Sequence, residues 1–310
     1  MFKGILFAIS ACLIWGTIFI IPLFLEEFSA IEISVGRYFF YGIYSIFLWF
    51  KKGPREKLSM DVWKKTFIYS LVVGALCYPG IVLGIQWASP AISALIFGLS
   101  PIAIAYYGNW KVRACSFKSL LIPSLLVFAG LLFINAPALQ GEKFSSGYLL
   151  GVLASFCALF AWTWYVVANS RFLKENPAVT SSLWSTLSGI GTFVWTVLFV
   201  AGAWVFSDVS VEKYTVLTPS ILKFIGGSLV LGILCSWVAF FLWNRATLYL
   251  PVPLVGLLST FEMSFGLLFI YLFQQKMPPW TEGVGAALFL MSIFYVIKKF
   301  SAAEARFQQD

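Results

Sequence analysis

Ten continuous apolar runs, each about one membrane crossing long, take up most of the 310-residue chain. A hydrocarbon core about 30 Å thick needs roughly 20 helical residues to span it, at ~1.5 Å of rise each. In lipid, backbone polar groups can be satisfied only within helices or closed barrels. Barrel strands alternate polar and apolar residues, and these runs do not. Composition agrees: 60% of residues are hydrophobic and 11% charged, where a soluble domain carries about 25% charged. The sequence therefore predicts an all-α membrane protein with ten transmembrane helices. The approximate spans are Gly4–Phe24, Ile31–Phe50, Thr66–Trp87, Ala91–Trp110, Ser119–Asn135, Gly147–Asn169, Ser181–Phe206, Ile221–Trp243, Val252–Phe273 and Trp280–Ile297. The first run follows a single basic residue, Lys3, and lacks a small-x-small cleavage pattern after it, so it is read as a retained helix. Ser89-Pro90 is the tightest connection and makes spans three and four an antiparallel hairpin.

The net charge of +8 comes from 21 basic and 13 acidic residues, and the distribution of the basic ones explains it. Sixteen lie at the N-terminus, in the even-numbered loops and at the C-terminus: Lys3; Lys51, Lys52, Arg55, Lys57, Lys64 and Lys65; Lys111, Arg113 and Lys118; Arg171 and Lys174; Arg245; Lys298, Lys299 and Arg306. Four lie in the odd-numbered loops: Lys143, Lys213, Lys223 and Lys276. Basic loops remain on the cytoplasmic side, so both termini are expected there in a multi-pass protein of the cell membrane, the inner one in a bacterium. Glu26, Glu27 and Glu32 then face outward. The charge is a topology signal, and no nucleic-acid partner is implied.

Several chemistries are excluded. The chain has no histidine, which removes His-based metal sites and Ser-His-Asp triads. No GxxxxGK[ST] phosphate loop is present, and no cofactor or metal is expected. Five cysteines form no CxxC pair; four lie inside apolar runs and read as small packing residues. A single buried carboxylate is too little for an intramembrane enzyme, and no ring of repeated polar residues suggests a channel.

The two halves resemble each other. Gly4-x-Leu6 with Trp15 in span one matches Gly151-x-Leu153 with Trp162 in span six, an offset of 147 between the tryptophans. Gly74-Ala75-Leu76-Cys77 followed by Gln86-Trp87-Ala88-Ser89 in span three matches Gly232-Ile233-Leu234-Cys235 followed by Asn244-Arg245-Ala246-Thr247 in span eight at the same spacing. Five spans per half force the second half to cross in the opposite sense, giving two inverted five-helix repeats. The boundaries are residues 1–139 and 140–300, with 301–310 a short polar, flexible cytoplasmic tail. Inverted repeats recur in secondary transporters, with substrate near the midplane between the halves.

At Trp15-Gly16-Thr17, Gly36-Arg37-Tyr38, Leu99-Ser100-Pro101 and Ala129-Gly130 the chain resembles the EamA-type, ten-helix members of the drug/metabolite transporter superfamily. The resemblance spans nearly the whole chain and implies export or exchange of small metabolites: amino acids, nucleotide-sugar-like compounds or amphiphilic amines. One departure is clear. Where such proteins often carry a glutamate at the ends of spans four and nine, this chain has Asn109-Trp110-Lys111 and Gln274-Gln275-Lys276.

Glu262 is the foremost site candidate. It lies about ten residues into span nine, ~15 Å deep, where a carboxylate costs at least a few kcal/mol unless it faces a cavity, has a partner or takes up a proton. It shares a stripe with Ser259, Gly266 and Phe269, and can hold an ammonium group or a coupling proton; the competing reading is a structural carboxyl. Arg37 can attract a carboxylate or snorkel outward; Tyr41 and Tyr44 share its face. Trp15 and Trp162 are repeat-equivalent aromatic walls, with Tyr165 beside Trp162; packing is the alternative. Tyr78, ahead of Pro79, and Ser100, ahead of Pro101, sit where proline frees a carbonyl toward a cavity. Trp237 belongs to span eight opposite Tyr78. Gln86 and Asn244 near span ends are expected to bond neighbouring helices. A central cavity is expected between spans one, three, four, six, eight and nine, bordered by Trp15, Tyr78, Trp162, Trp237 and Glu262. It suits an amphipathic zwitterion: amino acids, aromatic ones included, lead, and quaternary or other organic amines follow. The expected partners are a small-molecule substrate and the bilayer, with the proton as candidate coupling ion; monomer and homodimer are both open.

Overall fold

The computed structural model describes residues 1–52, 58–139, 147–206 and 216–307. Arg55, Lys57, Lys143 and Lys213 of the charge count lie outside the described residues. The described chain is helical throughout. In order the helices are α1 (Phe2–Phe24), α2 (Ala30–Lys52), α3 (Met60–Trp87), α4 (Pro90–Val112), α5 (Phe117–Leu139), α6 (Tyr148–Glu175), α7 (Ser181–Phe206), α8 (Pro219–Tyr249), α9 (Val252–Gln274) and α10 (Trp280–Phe307). Among the described residues, nine are long and apolar enough to cross a membrane. The tenth, α2, is equally long at 23 residues but carries Arg37 and three tyrosines in its interior. Large apolar residues such as Phe47, Leu125, Phe160 and Phe294 point outward, as expected where lipid is the solvent.

Local chemistry sets the helix starts. The side chains of Ser59, Ser89 and Thr218 accept hydrogen bonds from Val62, Ile92 and Ile221 amides at the starts of α3, α4 and α8. Pro90 and Pro219 take the first helical position, where a missing N–H costs nothing. Ser89-Pro90 thus closes the expected α3–α4 hairpin. Helices α6 and α10 run past the apolar signal, because a helix need not end where the bilayer does. The expected flexible tail from Ser301 is helical through Phe307.

Five helices are interrupted at mid-depth, which periodicity alone did not reveal. Helix α1 is α-helical to Gly16 and then tightens into 3-10 turns at Thr17–Phe19 and Ile21–Phe24. The Thr17 hydroxyl donates back to the Ile14 carbonyl (2.7 Å), and Pro22 offers no N–H. Helices α3 and α8 widen into π-helical stretches at Val72–Cys77 and Val230–Val238. The first precedes Pro79; in the second, the Ser236 hydroxyl donates to the Leu231 carbonyl five residues back (2.9 Å). Helix α4 breaks at Gly98-Leu99, where Pro101 has no N–H to offer the Phe97 carbonyl four residues back, and α9 breaks at Ser259, whose hydroxyl donates to Gly256 (2.6 Å). Both α4 and α9 end on a left-handed residue, Arg113 (φ 51°) and Gln275 (φ 52°). The interval of 162 between those residues is also the interval between Ser100 and Glu262, each in the first turn after its break.

Packing pairs helices far apart in the chain. Helix α1 packs on α8 and α6 on α3; α2 pairs with α7, α4 with α9 and α5 with α10. Every pairing joins the first five helices to the second five. One buried cluster, including Ile104, Val166, Trp184, Leu187, Trp243, Leu254 and Leu258, runs through both. Close approaches need glycine: a Cβ on Gly256 would lie 2.8 Å from the Ile104 side chain where α9 crosses α4. Cys12, Cys77 and Cys235 are buried packing residues, as expected, but Cys157 faces outward and Cys115 is half-buried between α4 and α5.

Candidate functional site

A cavity of about 280 Å³ lies within the bundle and receives side chains from α1, α2, α3, α4, α6, α7, α8 and α9. That is two helices more than expected, because α2 contributes Arg37, Tyr38 and Tyr41, and α7 contributes Ser188 and Thr192. Seven of the eight candidates line it: Glu262, Arg37, Trp15, Trp162, Tyr78, Tyr165 and Ser100.

Glu262 stands in the first turn of α9 beyond its break. From that turn its side chain reaches the cavity. Among the described residues its carboxylate has no hydrogen-bond or ion-pair partner, and Cys12 is held nearby by its own bond to the Leu258 carbonyl (3.6 Å). Ser100 holds the corresponding place after the break in α4, so the two half-helix starts meet at the cavity with one carboxyl and one hydroxyl.

Arg37 does not snorkel. Its Nε donates to Ser236 Oγ (2.8 Å) and one terminal nitrogen to the Cys235 carbonyl (3.4 Å). Arginine has five N–H donors, so this engagement leaves others for a ligand. Trp15 is 4% exposed and donates its indole N–H to the same Cys235 carbonyl (2.9 Å). Its ring packs against Phe240 and Trp243, which also line the cavity. Trp162 is half-buried between Tyr165 (5.5 Å) and Phe97 (6.5 Å), and its N–H donates to no described residue. The Tyr78 hydroxyl donates to the Ala30 carbonyl at the start of α2 (2.8 Å), leaving its ring to the cavity. Tyr165 packs edge-on to Tyr69 (6.0 Å).

Trp237 is the exception. It lies in a separate cavity of about 270 Å³ with Tyr44, Trp49 and Thr186, and its indole donates to Thr186 Oγ1 (3.1 Å). Trp237 lies inside the π stretch, and Phe240 and Trp243, three and six residues on, take the cavity face instead. The second cavity also takes Tyr44, which sequence spacing had grouped with Arg37. The expected partner of Asn244 is present: its side chain pairs with Asn169 (2.9 Å) and Ser185 (3.4 Å). Gln86, by contrast, is exposed at the end of α3. Asn109, where related proteins often have glutamate nearby, is fully buried and ties the α4–α5 turn through both its amide and carbonyl to Cys115 (2.9 and 3.0 Å).

Sequence reasoning missed Tyr69, Phe240, Trp243, Ser188 and Thr192 as lining residues. The last two had a signal in the hydroxyl-rich face Ser181, Ser185, Ser188 and Thr192 of α7, which is unusual in a lipid-embedded helix.

Residues 2–136 match the EamA-like transporter family. The chain is 27% identical over 311 residues to "Inner membrane protein YtfF" of Escherichia coli (strain K12), covering 96% of each. It also superposes on a solved structure, described only as the crystal structure of a protein, with a TM-score of 0.74 at 17% identity, over 94% of this chain and 96% of that one, which is a likeness of fold. Residues 2–136 therefore carry the pattern of the EamA-like transporter family, and nearly the whole chain is similar in sequence to an inner membrane protein.

Proposed function

We propose that this protein is an EamA-type transporter of the drug/metabolite transporter superfamily and that it moves small amphipathic metabolites, amino acids foremost and aromatic ones among them, by alternating access, in the direction of export. The carrying observation is the central cavity, in which one carboxylate from the second half and one guanidinium from the first share an aromatic wall. A zwitterion needs both signs of charge, placed apart, and an apolar surface for its side chain. Glu262 would hold the ammonium, Arg37 the carboxylate through its remaining donors, and Trp15, Trp162, Tyr165, Tyr78 and Trp243 the apolar part. At about 280 Å³ the cavity is at the small end of ligand pockets, roughly 300–1,000 Å³. One observation favours a second reading. Arg37 is already bonded to Ser236 and Cys235, so a quaternary or other organic amine could be held by Glu262 and the tryptophans alone. Residues 1–139 and 140–300 would rock as two inverted halves, with the proton as candidate coupling ion and Glu262 its carrier.

A thermal-shift screen of the purified protein tests the substrate class, because a ligand that binds only the folded state raises Tm. Aromatic amino acids should stabilise the protein and their decarboxylated amines should do so less; the reverse order would establish the amine reading. In this reading both termini and the basic loops lie on the cytoplasmic side, supported by the distribution of lysine and arginine. A cysteine introduced at Lys111 should react with an impermeant maleimide only after the membrane is opened; labelling from outside in intact cells would reverse the topology.

A further inference from the structure

The two π-helical stretches are counterparts in the two halves, yet they are held differently. In α8, the Cys235 carbonyl accepts from Trp15 of α1 (2.9 Å) and from Arg37 of α2 (3.4 Å), and the Cys235 thiol lies 3.3 Å from the Thr17 hydroxyl. Beneath it, Gly232 is pressed onto α2. A Cβ there would lie 2.7 Å from both the Arg37 carbonyl oxygen and the Tyr41 amide nitrogen, closer than side-chain carbons approach backbone. In α3, no side chain among the described residues donates to a carbonyl of Val72–Cys77. Gly74, the counterpart of Gly232, has open space: a Cβ there meets nothing within 4 Å. Trp162, the counterpart of Trp15, lies on α6, which packs against the α3 stretch, and its indole N–H has no described acceptor. One turn below Gly74, Ser70 already touches α7 by donating to the Ser188 carbonyl (3.3 Å).

A widened π turn leaves backbone carbonyls that accept poorly within the helix and are open to outside donors. Two similar halves that exchange conformations must exchange their contacts as well. We infer that Trp15 and Trp162 are alternating positioning residues: Trp15 holds the α8 stretch closed in this conformer, and in the opposite one Trp162 takes the Cys77 carbonyl while the α3 stretch closes over Gly74 onto α7 near Ser188 and Thr192. The inference rests on the alternating-access reading above. It extends that reading by assigning the switch to two indole N–H groups and one glycine.

The test uses the full chain in lipid nanodiscs, with one spin-label pair across each end of the bundle and distances measured by pulsed electron resonance. Phenylalanine keeps the ring and removes the N–H. Trp15→Phe should shift the conformer ratio away from this structure by about 5-fold, the net worth of one buried hydrogen bond, and Trp162→Phe should shift it toward this structure by a similar factor. A purely structural role would move both variants the same way. Gly74→Ala fits the open space here but not the closed contact, so it should remove the opposite conformer while Tm stays within about 2 °C of wild type, because alanine is no worse a helix former. If Trp15→Phe does not fold, the other two variants decide, since neither Trp162 nor Gly74 makes the contact in this conformer. Same-direction shifts of the tryptophan variants, or an unchanged ratio in Gly74→Ala, overturn the inference. Two exchanging populations that ignore all three substitutions remove the switch and leave alternating access standing; one fixed population in every variant removes both.

Discussion

Two polar clusters sit inside this apolar bundle, and they differ in how completely they are satisfied. Toward the end that carries Arg171, Lys174 and Arg245, Asn169 accepts from the Trp184 indole and donates to Asn244 (2.9 Å), Asn244 donates to Ser185 (3.4 Å), and Tyr41 donates to the Ser185 carbonyl (2.9 Å). This cluster joins α2, α6, α7 and α8, and all five of its residues are buried. At the centre, Glu262 meets a cavity and no described partner, and Trp162 has an idle donor. A polar group in a low-dielectric interior is costly unless bonded. The first cluster meets that demand within the protein and so contributes to fold and closure. The second does not meet it among the described residues, as the proposed transport site would require if its cargo is to matter to its conformation.

That contrast can be broken by substitution. The largest effect is expected at Glu262. Glu262→Gln should weaken binding of a cationic or zwitterionic ligand by about 30-fold or more, as for truncating one partner of a desolvated charge pair, with Tm little changed; calorimetric titration measures it. If the carboxyl is instead the proton carrier, binding persists, pH-dependent accumulation is lost and counterflow exchange survives. A variant normal in all three would make Glu262 a structural group and erase the distinction between the clusters. Next comes Arg37→Gln. It should cost an amino acid roughly 10-fold in affinity, a charge-assisted hydrogen bond's worth, and leave the matching amine unaffected; equal losses for both ligands would mean that Arg37 acts only by bracing α8. The smallest effect belongs to the satisfied cluster. Asn169→Leu strands the Trp184 and Asn244 groups and should lower stability by about 1–3 kcal/mol, seen as a lower melting temperature, while ligand affinity is retained. A variant of normal stability that fails to bind would invert the assignment.

Much of the architecture was legible in the residues because lipid imposes few solutions. Helix number follows from run length, and Glu262 could be singled out because an unpaired carboxylate at that depth demands an explanation. The repeat pairs Trp15 with Trp162 and Gly74 with Gly232 from sequence spacing alone. The site was legible only in part. Trp237 was placed at the centre and is not there, and Trp243, six residues on, is. Trp237 sits inside the π stretch of α8, which departs from ideal helix periodicity and leaves no mark on hydropathy. The break at Ser259 was equally silent, although Pro101 hinted at its counterpart in α4.

The sequence by itself determined the solvent, the number of crossings and the residue types that had to be reconciled with lipid, since these depend on length and on transfer energies that each residue carries alone. Tertiary structure decided which polar groups are satisfied. Asn109, Asn169 and Asn244 found partners; among the described residues Glu262 and Trp162 did not, and Arg37 was divided between α8 and the cavity. Hydrogen bonding depends on distances between helices far apart in the chain, so no single residue encodes it, and it is this allocation that separates the structural interior from the candidate transport site.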